Sequence, residues 1–143
     1  MKRALFTILV VLLVPVGVFW LSGATLNADQ SRPSARPVFR SVSAAEAAVL
    51  MKTRENLQVL DVRTPQERKE LRIADSRPVP MGDVIRGLFE SDPDRPLILV
   101  CAVGGRSYIA GKVMFARGYR EIYNLDGGIE SWRQAGLPLE TGP

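Results

Sequence analysis

Leu97-Ile98-Leu99-Val100-Cys101-Ala102-Val103-Gly104-Gly105-Arg106-Ser107 decides how the rest of the chain is read. Four aliphatic residues run into the only cysteine of the 143-residue chain; two glycines and an arginine come after it, and a helical pattern opens near Ser107. This order predicts a buried strand, a tight loop and a helix start, with a thiol at the hinge. The backbone N–H groups of such a loop turn inward on one centre beside a helix N-terminus, making a pocket for negative charge. A thiolate is stabilised there, and so is an anion bound to it.

A buried cysteine usually behaves as a small hydrophobe. The residues after Cys101 change that reading, because Gly104 and Gly105 permit conformations that side chains with a Cβ avoid, and Arg106 adds a fixed positive charge. Composition then narrows the chemistry. The chain has no histidine, which removes His-based metal sites, Ser-His-Asp triads and Cys-His dyads. Activation of Cys101 falls to backbone dipoles and arginine. One cysteine also excludes an intramolecular disulfide and a CxxC redox pair. The formal charge is +4, and without Lys2 and Arg3 it becomes +2, 17 basic residues against 15 acidic; this is no basis for nucleic-acid binding, which wants a clustered basic face.

Outward toward the N-terminus, Lys2 and Arg3 precede an apolar run at 4–21, broken only by Thr7, Pro15 and Gly17, with small residues at Ser22-Gly23-Ala24. The run is long for a signal core and slightly short of the ~20 residues of a spanning helix. Residues 1–24 are expected to be a cleaved signal peptide or an uncleaved membrane anchor, with cleavage preferred. Either puts Cys101 outside the cytoplasm, in an exported or periplasmic location. Residues 25–37 are polar and contain Pro33 and Pro37, as in a linker. Arg32, Arg36 and Arg40 could touch anionic lipid but read more simply as a solvated face.

From 38 to 140 the pattern alternates strand and helix. Val38–Val42 alternates as a strand; Ser43 and Glu46 form a capping box for a helix to about Lys52. Residues 57–62 are near-continuously apolar, as for a strand covered on both faces. Thr64 is the expected N-cap of the next helix, Pro65 its first residue, and Glu67 reaches back to the cap. Asp61 and Arg63, between them, read as a surface ion pair and a cap-adjacent charge. Residues 81–90 predict a helix with Val84, Ile85, Leu88 and Phe89 on its apolar side, and 91–96 a turn. After the cysteine loop, Ile109, Val113, Met114 and Phe115 are expected against the sheet, with Lys112 and Arg117 wet and Gly118 ending the helix. Residues 121–125 form the last strand, Gly127-Gly128 a sharp turn, and 129–134 a helix with Trp132 in the core. The fold class is α/β, a five-stranded parallel sheet flanked by helices.

The loop 101–107 resembles the active-site loop of rhodanese-type sulfurtransferases. Val59-Leu60-Asp61-Val62-Arg63-Thr64-Pro65-Gln66-Glu67 resembles the family too, as do Gly118-Tyr119, Asn124-Leu125-Asp126-Gly127-Gly128-Ile129-Glu130-Ser131-Trp132 and Gly136-Leu137-Pro138, in the family's order. Arg77-Pro78-Val79-Pro80 is similar to its short third strand. The chain departs from it at Leu71-Arg72-Ile73-Ala74-Asp75-Ser76, where relatives carry a Gly-His-Ile-Pro-Gly-Ala-like turn.

The resemblance implies that Cys101 takes sulfane sulfur from a small donor such as thiosulfate and passes it, as a persulfide, to a thiophilic acceptor. That acceptor is cyanide, a thiol or a partner protein's cysteine; no metal or organic cofactor is implied. Backbone groups of Ala102, Val103, Gly104, Gly105 and Ser107 would hold the terminal sulfur, Arg106 would orient loop or donor, and Asp61, with Arg63, would help hold an arginine near the loop. Four residues separate Cys101 from Arg106, whereas phosphatase relatives use five, and the narrower cradle suits a terminal sulfur. An alternative is a sulfur-carrier or partner-binding module on the same fold, docking to a membrane or periplasmic partner.

Overall fold

A computed structural model describes residues 36–142. In chain order the elements are β1 (Val38–Val42), α1 (Ala44–Thr53), β2 (Gln58–Asp61), α2 (Pro65–Glu70), β3 (Arg77–Pro78), α3 (Met81–Arg86), β4 (Leu97–Val100), α4 (Gly105–Ala116), β5 (Glu121–Leu125) and α5 (Gly128–Gln134). The strands form one sheet in the order β1-β5-β4-β2-β3, and every pairing is parallel.

The unbroken apolar run of β4 follows from its central position. Ile98 and Val100 pack on one face with α1 and α5, among Ala47, Ile129 and Trp132. Leu97 and Leu99 pack on the other with α3 and α4, among Val84, Ala110 and Met114. A strand covered on both faces needs apolar side chains at every position. Both expected capping boxes are present, Ser43 with Glu46 and Thr64 with Glu67.

Two helices differ from expectation. α3 stops at Arg86 because Gly87 takes the left-handed conformation at φ 74° and closes the helix on the Asp83 and Val84 carbonyls. Leu88 is therefore 67% exposed and Ile85 is also exposed, while Val84 alone in α3 is buried. α4 opens at Gly105, earlier than expected, and turns Ser107, Ala110, Gly111 and Met114 to the sheet. The small Ser107, Ala110 and Gly111 let the helix lie close, and Ile109 and Phe115 turn outward. Arg117 is exposed as expected, but its guanidinium donates to the carbonyls of Val84 and Ile85, tying α4 to the end of α3.

The divergent stretch 71–76 becomes a strap. Arg72 and Glu140 exchange backbone hydrogen bonds at 2.8 Å in both directions, and their side chains pair at 3.1 Å. Ile73 is buried as its apolar character requires. The expected signal or anchor at 1–24, and the linker up to residue 35, lie outside the described residues. Among the described residues no helix is long and apolar enough to cross a membrane.

Candidate active site

All strands point the same way, so the C-terminal end of the sheet gathers the loops after β2, β4 and β5, where open α/β sheets place their sites. Cys101 follows β4 there, with 0% of its surface exposed. Its Sγ accepts the Gly104 N–H at 3.1 Å, and the Ser107 hydroxyl lies 3.4 Å away. Burial pushes the thiol up, but hydrogen bonds from the Ser107 hydroxyl and from the N–H groups of Ser107, Val103 and Gly104 outweigh it. The net effect is a pKa below the ordinary thiol value.

Glycine chemistry gives the loop its shape. Gly104 sits at φ 89°, and a Cβ there would stand 3.1 Å from both the Gly127 nitrogen and the Leu125 oxygen. Gly128 sits at φ 60°, and its Cβ would come within 2.4 Å of the Cys101 carbonyl oxygen. That closeness lets Ile129 donate to the Cys101 carbonyl at 2.8 Å and Glu130 to that of Ala102 at 3.2 Å. The start of α5 thus clamps the loop from outside, leaving its N–H groups free to face inward. Val103, at the tip, is 71% exposed; Gly105 is exposed and Ala102 and Arg106 are half-buried.

Arg106 reaches from the first turn of α4 to Glu67 on α2. Its Nη1 lies 3.0 Å from Glu67 Oε2, and Nη2 donates to Oε1. Arg106 foremost, opposed by burial and aided by the backbone and hydroxyl of Thr64, holds the Glu67 carboxyl down at about 2. The pairing fixes the arginine beside the thiol with its charge intact.

Residues 43–135 match the family described as Rhodanese-like domain. The chain belongs to the rhodanese-like domain family. It is 35% identical over 85 residues to a protein named sulfurtransferase from Allochromatium vinosum, covering 59% of this chain and 79% of the relative. It is 37% identical over 89 residues to the thiosulfate sulfurtransferase GlpE of Pseudomonas paraeruginosa, covering 62% of this chain and 80% of that one. Among solved structures, a rhodanese-related protein from Thermoplasma volcanium superposes with a TM-score of 0.64 at 30% identity, over 71% of this chain and 98% of that one.

Within this rhodanese-like fold Asp61 and Arg63 are not a surface pair. They are 1% and 4% exposed, with Arg63 Nη2 2.7 Å from Asp61 Oδ2 and Nε 2.9 Å from Oδ1. Arg68 adds a third contact, Nη1 to Asp61 Oδ2 at 2.9 Å. Asp61 therefore holds two arginines, but neither is the loop arginine, which belongs to Glu67. Arg63 and Arg68 also donate to the carbonyls of Leu71 and Ser76. The cluster thus locks α2 and the strap together, and so positions Glu67.

Sequence reading missed Glu67 at the site because the capping box accounted for its carboxylate. A carboxylate offers about four lone-pair sites, enough for Thr64 and an arginine together. It also missed Asn124, buried on β5 between β1 and β4. The signal was present: a lone amide in the otherwise apolar run Ile122-Tyr123-Asn124-Leu125 of a central strand needs buried hydrogen-bond partners.

Proposed function

We propose that this rhodanese-like chain is a sulfurtransferase that takes sulfane sulfur from a donor such as thiosulfate through a Cys101 persulfide. The observation that carries the reading is the inward Gly104 N–H, 3.1 Å from Sγ, in a loop with four residues between Cys101 and Arg106. Ionised Sγ attacks the outer sulfur of thiosulfate. The Sγ–S bond forms as the bond to the sulfonate sulfur breaks, and sulfite leaves with the bonding pair.

The negative charge moves to the terminal sulfur, where N–H groups of residues 102–107 receive it. Cyanide or a thiolate then attacks that sulfur, and Sγ departs as thiolate. Charge balances in both steps with no external oxidant or reductant. Arg106, anchored by Glu67, keeps a positive charge beside the entering anion.

A second reading, a sulfur carrier or partner-binding module with little turnover on small donors, is supported by the complete burial of Cys101. Sγ offers no exposed surface to a small donor, while Val103 at the loop tip is open for a partner protein to grip. For location, the basic flank and apolar run of residues 2–21 support export or membrane anchoring outside the cytoplasm.

Intact mass of the protein made with its own N-terminus tests these readings, before and after thiosulfate, with Cys101→Ser alongside. The expected result is a gain of one sulfur, about 32 Da, reversed by cyanide and absent in the variant. No gain from thiosulfate would overturn the small-donor reading in favour of the carrier, and a gain in Cys101→Ser would overturn the cysteine mechanism. The starting mass also reads cleavage after Ala24.

A further inference from the structure

Behind the cysteine loop the Ser107 hydroxyl opens a chain of polar groups whose further members, Asn124 and Ser41, the sulfur chemistry above does not use. The Ser107 hydroxyl, fully buried, has three acceptors in reach: Asn124 Oδ1 at 2.7 Å, the Gly104 carbonyl at 3.1 Å and Cys101 Sγ at 3.4 Å. Asn124 continues the chain, its Nδ2 donating to Ser41 Oγ at 3.0 Å. Ser41 is the register partner of Asn124 across β1 and β5 and lies at the surface.

A hydroxyl has one proton, so these acceptors compete. While Ser107 donates to Asn124 Oδ1, the sulfur receives nothing from it. Were Ser107 simply to swing its proton to the thiolate, its own oxygen would face Asn124 Oδ1 at 2.7 Å with no hydrogen between them, two buried acceptors in repulsion. Turning the Asn124 amide over removes that conflict. Nδ2 then donates to Ser107 Oγ, Ser107 donates to Sγ, and the Ser41 hydroxyl reverses to donate to Oδ1. Ser107, Asn124 and Ser41 each have a partner in both arrangements and keep their protons; the one proton lost is the thiol's own, released to solvent as Cys101 ionises.

We propose that Asn124 is a positioning residue whose amide turns over as Cys101 ionises, so that the surface hydroxyl of Ser41 supports the thiolate through Asn124 and Ser107. The proposal deepens the sulfurtransferase reading and rests on it for its purpose, although the ionisation it describes is a property of the thiol itself. The charged groups around the loop include Arg106 on α4 with its partner Glu67 on α2, Asp61 at the end of β2 with Arg63 and Arg68, Asp126 beside Gly127, and Glu130 on α5, paired with Arg133. β1 and β5 contribute Ser41 and Asn124 to the chain, neither of which titrates.

The test is the ultraviolet absorbance of the thiolate against pH, read as a difference from Cys101→Ser so that tyrosine ionisation cancels; the single cysteine makes the signal unambiguous. Ser41→Ala, at the surface and remote from sulfur, is expected to raise the midpoint, lowering the thiolate fraction below it about threefold. Ser41→Thr keeps the hydroxyl and is expected to match the parent. In a Ser107→Ala background, Ser41→Ala is expected to do nothing, because the link is already cut.

An unchanged midpoint in Ser41→Ala overturns the proposal. So does an equal rise with and without Ser107, the signature of a merely structural disturbance. If the midpoints move as expected while thiosulfate adds no sulfur, the relay stands and the small-donor reading falls.

Discussion

Glu67 Oε2 accepts Arg106 Nη1 at 3.0 Å while also accepting the backbone N–H of Thr64 at 3.0 Å and its hydroxyl at 2.9 Å. One carboxylate oxygen therefore caps α2 and anchors the arginine of the cysteine loop on α4. Helix geometry and site geometry share an atom, so a change at Glu67 reaches both.

Glu67→Gln is expected to release Arg106 and slow sulfur transfer several-fold while the domain stays folded, since the amide oxygen can still accept from Thr64. Circular dichroism should report an unchanged fold, with the loss confined to the transfer rate. Equal rates for variant and parent would remove Glu67 from the site.

The same carboxylate sets an acid limit. Its folded value of about 2 lies below the ordinary 4.5, so the unfolded chain binds its proton first as pH falls. The contribution of Glu67 to stability is complete above about pH 4.5 and is lost progressively between there and about pH 2. Urea unfolding at stepped pH should show a shallower decline across that window for Glu67→Gln than for the parent chain.

Ser107→Ala removes the hydroxyl that lowers the Cys101 pKa. A folded value held below the unfolded thiol's means that thiolate appears at lower pH in the native protein. Iodoacetamide alkylation of the native chain should have its pH midpoint below that of the denatured chain, and Ser107→Ala should move it upward. A midpoint equal to the denatured one in the parent would contradict the loop's role.

Gly128→Ala places a Cβ against the Cys101 and Ala102 carbonyl oxygens in a left-handed residue. The expected cost is about 3 kcal/mol in chemical unfolding, with transfer lost as the clamp on the loop shifts. Gly105→Ala, where a Cβ meets nothing within 4 Å, serves as the tolerated control.

Asp61→Ala leaves Arg63 and Arg68 buried with no carboxylate, at an expected cost of about 3–5 kcal/mol. A loss below about 1 kcal/mol would mean that the Leu71 and Ser76 carbonyls suffice for both guanidiniums.

The order of elements was legible in the chain because its signals are local. Capping boxes at Ser43 and Thr64 act within four residues, and the apolar run 97–100 declares a strand covered on both faces wherever it lies in space. The thiol at a strand end, followed by glycines and arginine, was legible for the same reason. The extent of α3 was not read, although Gly87 stood inside the expected helix, because an apolar pattern continues through Leu88 and Phe89 regardless of where the backbone turns.

What tertiary structure alone decided is which distant groups meet. The sequence determined a cysteine loop with its own donors; it could not assign Arg106 to Glu67 rather than to Asp61, since both carboxylates precede the loop by tens of residues and only the sheet order, which sets the start of α2 within side-chain reach of the start of α4, separates them. Nor could it join Ser41, Asn124 and Ser107, which lie on three elements and meet because β5 sits between β1 and β4. Hydrogen bonds act over about 3 Å; between residues far apart in the chain, that distance is set by how the sheet is ordered and how closely its helices lie.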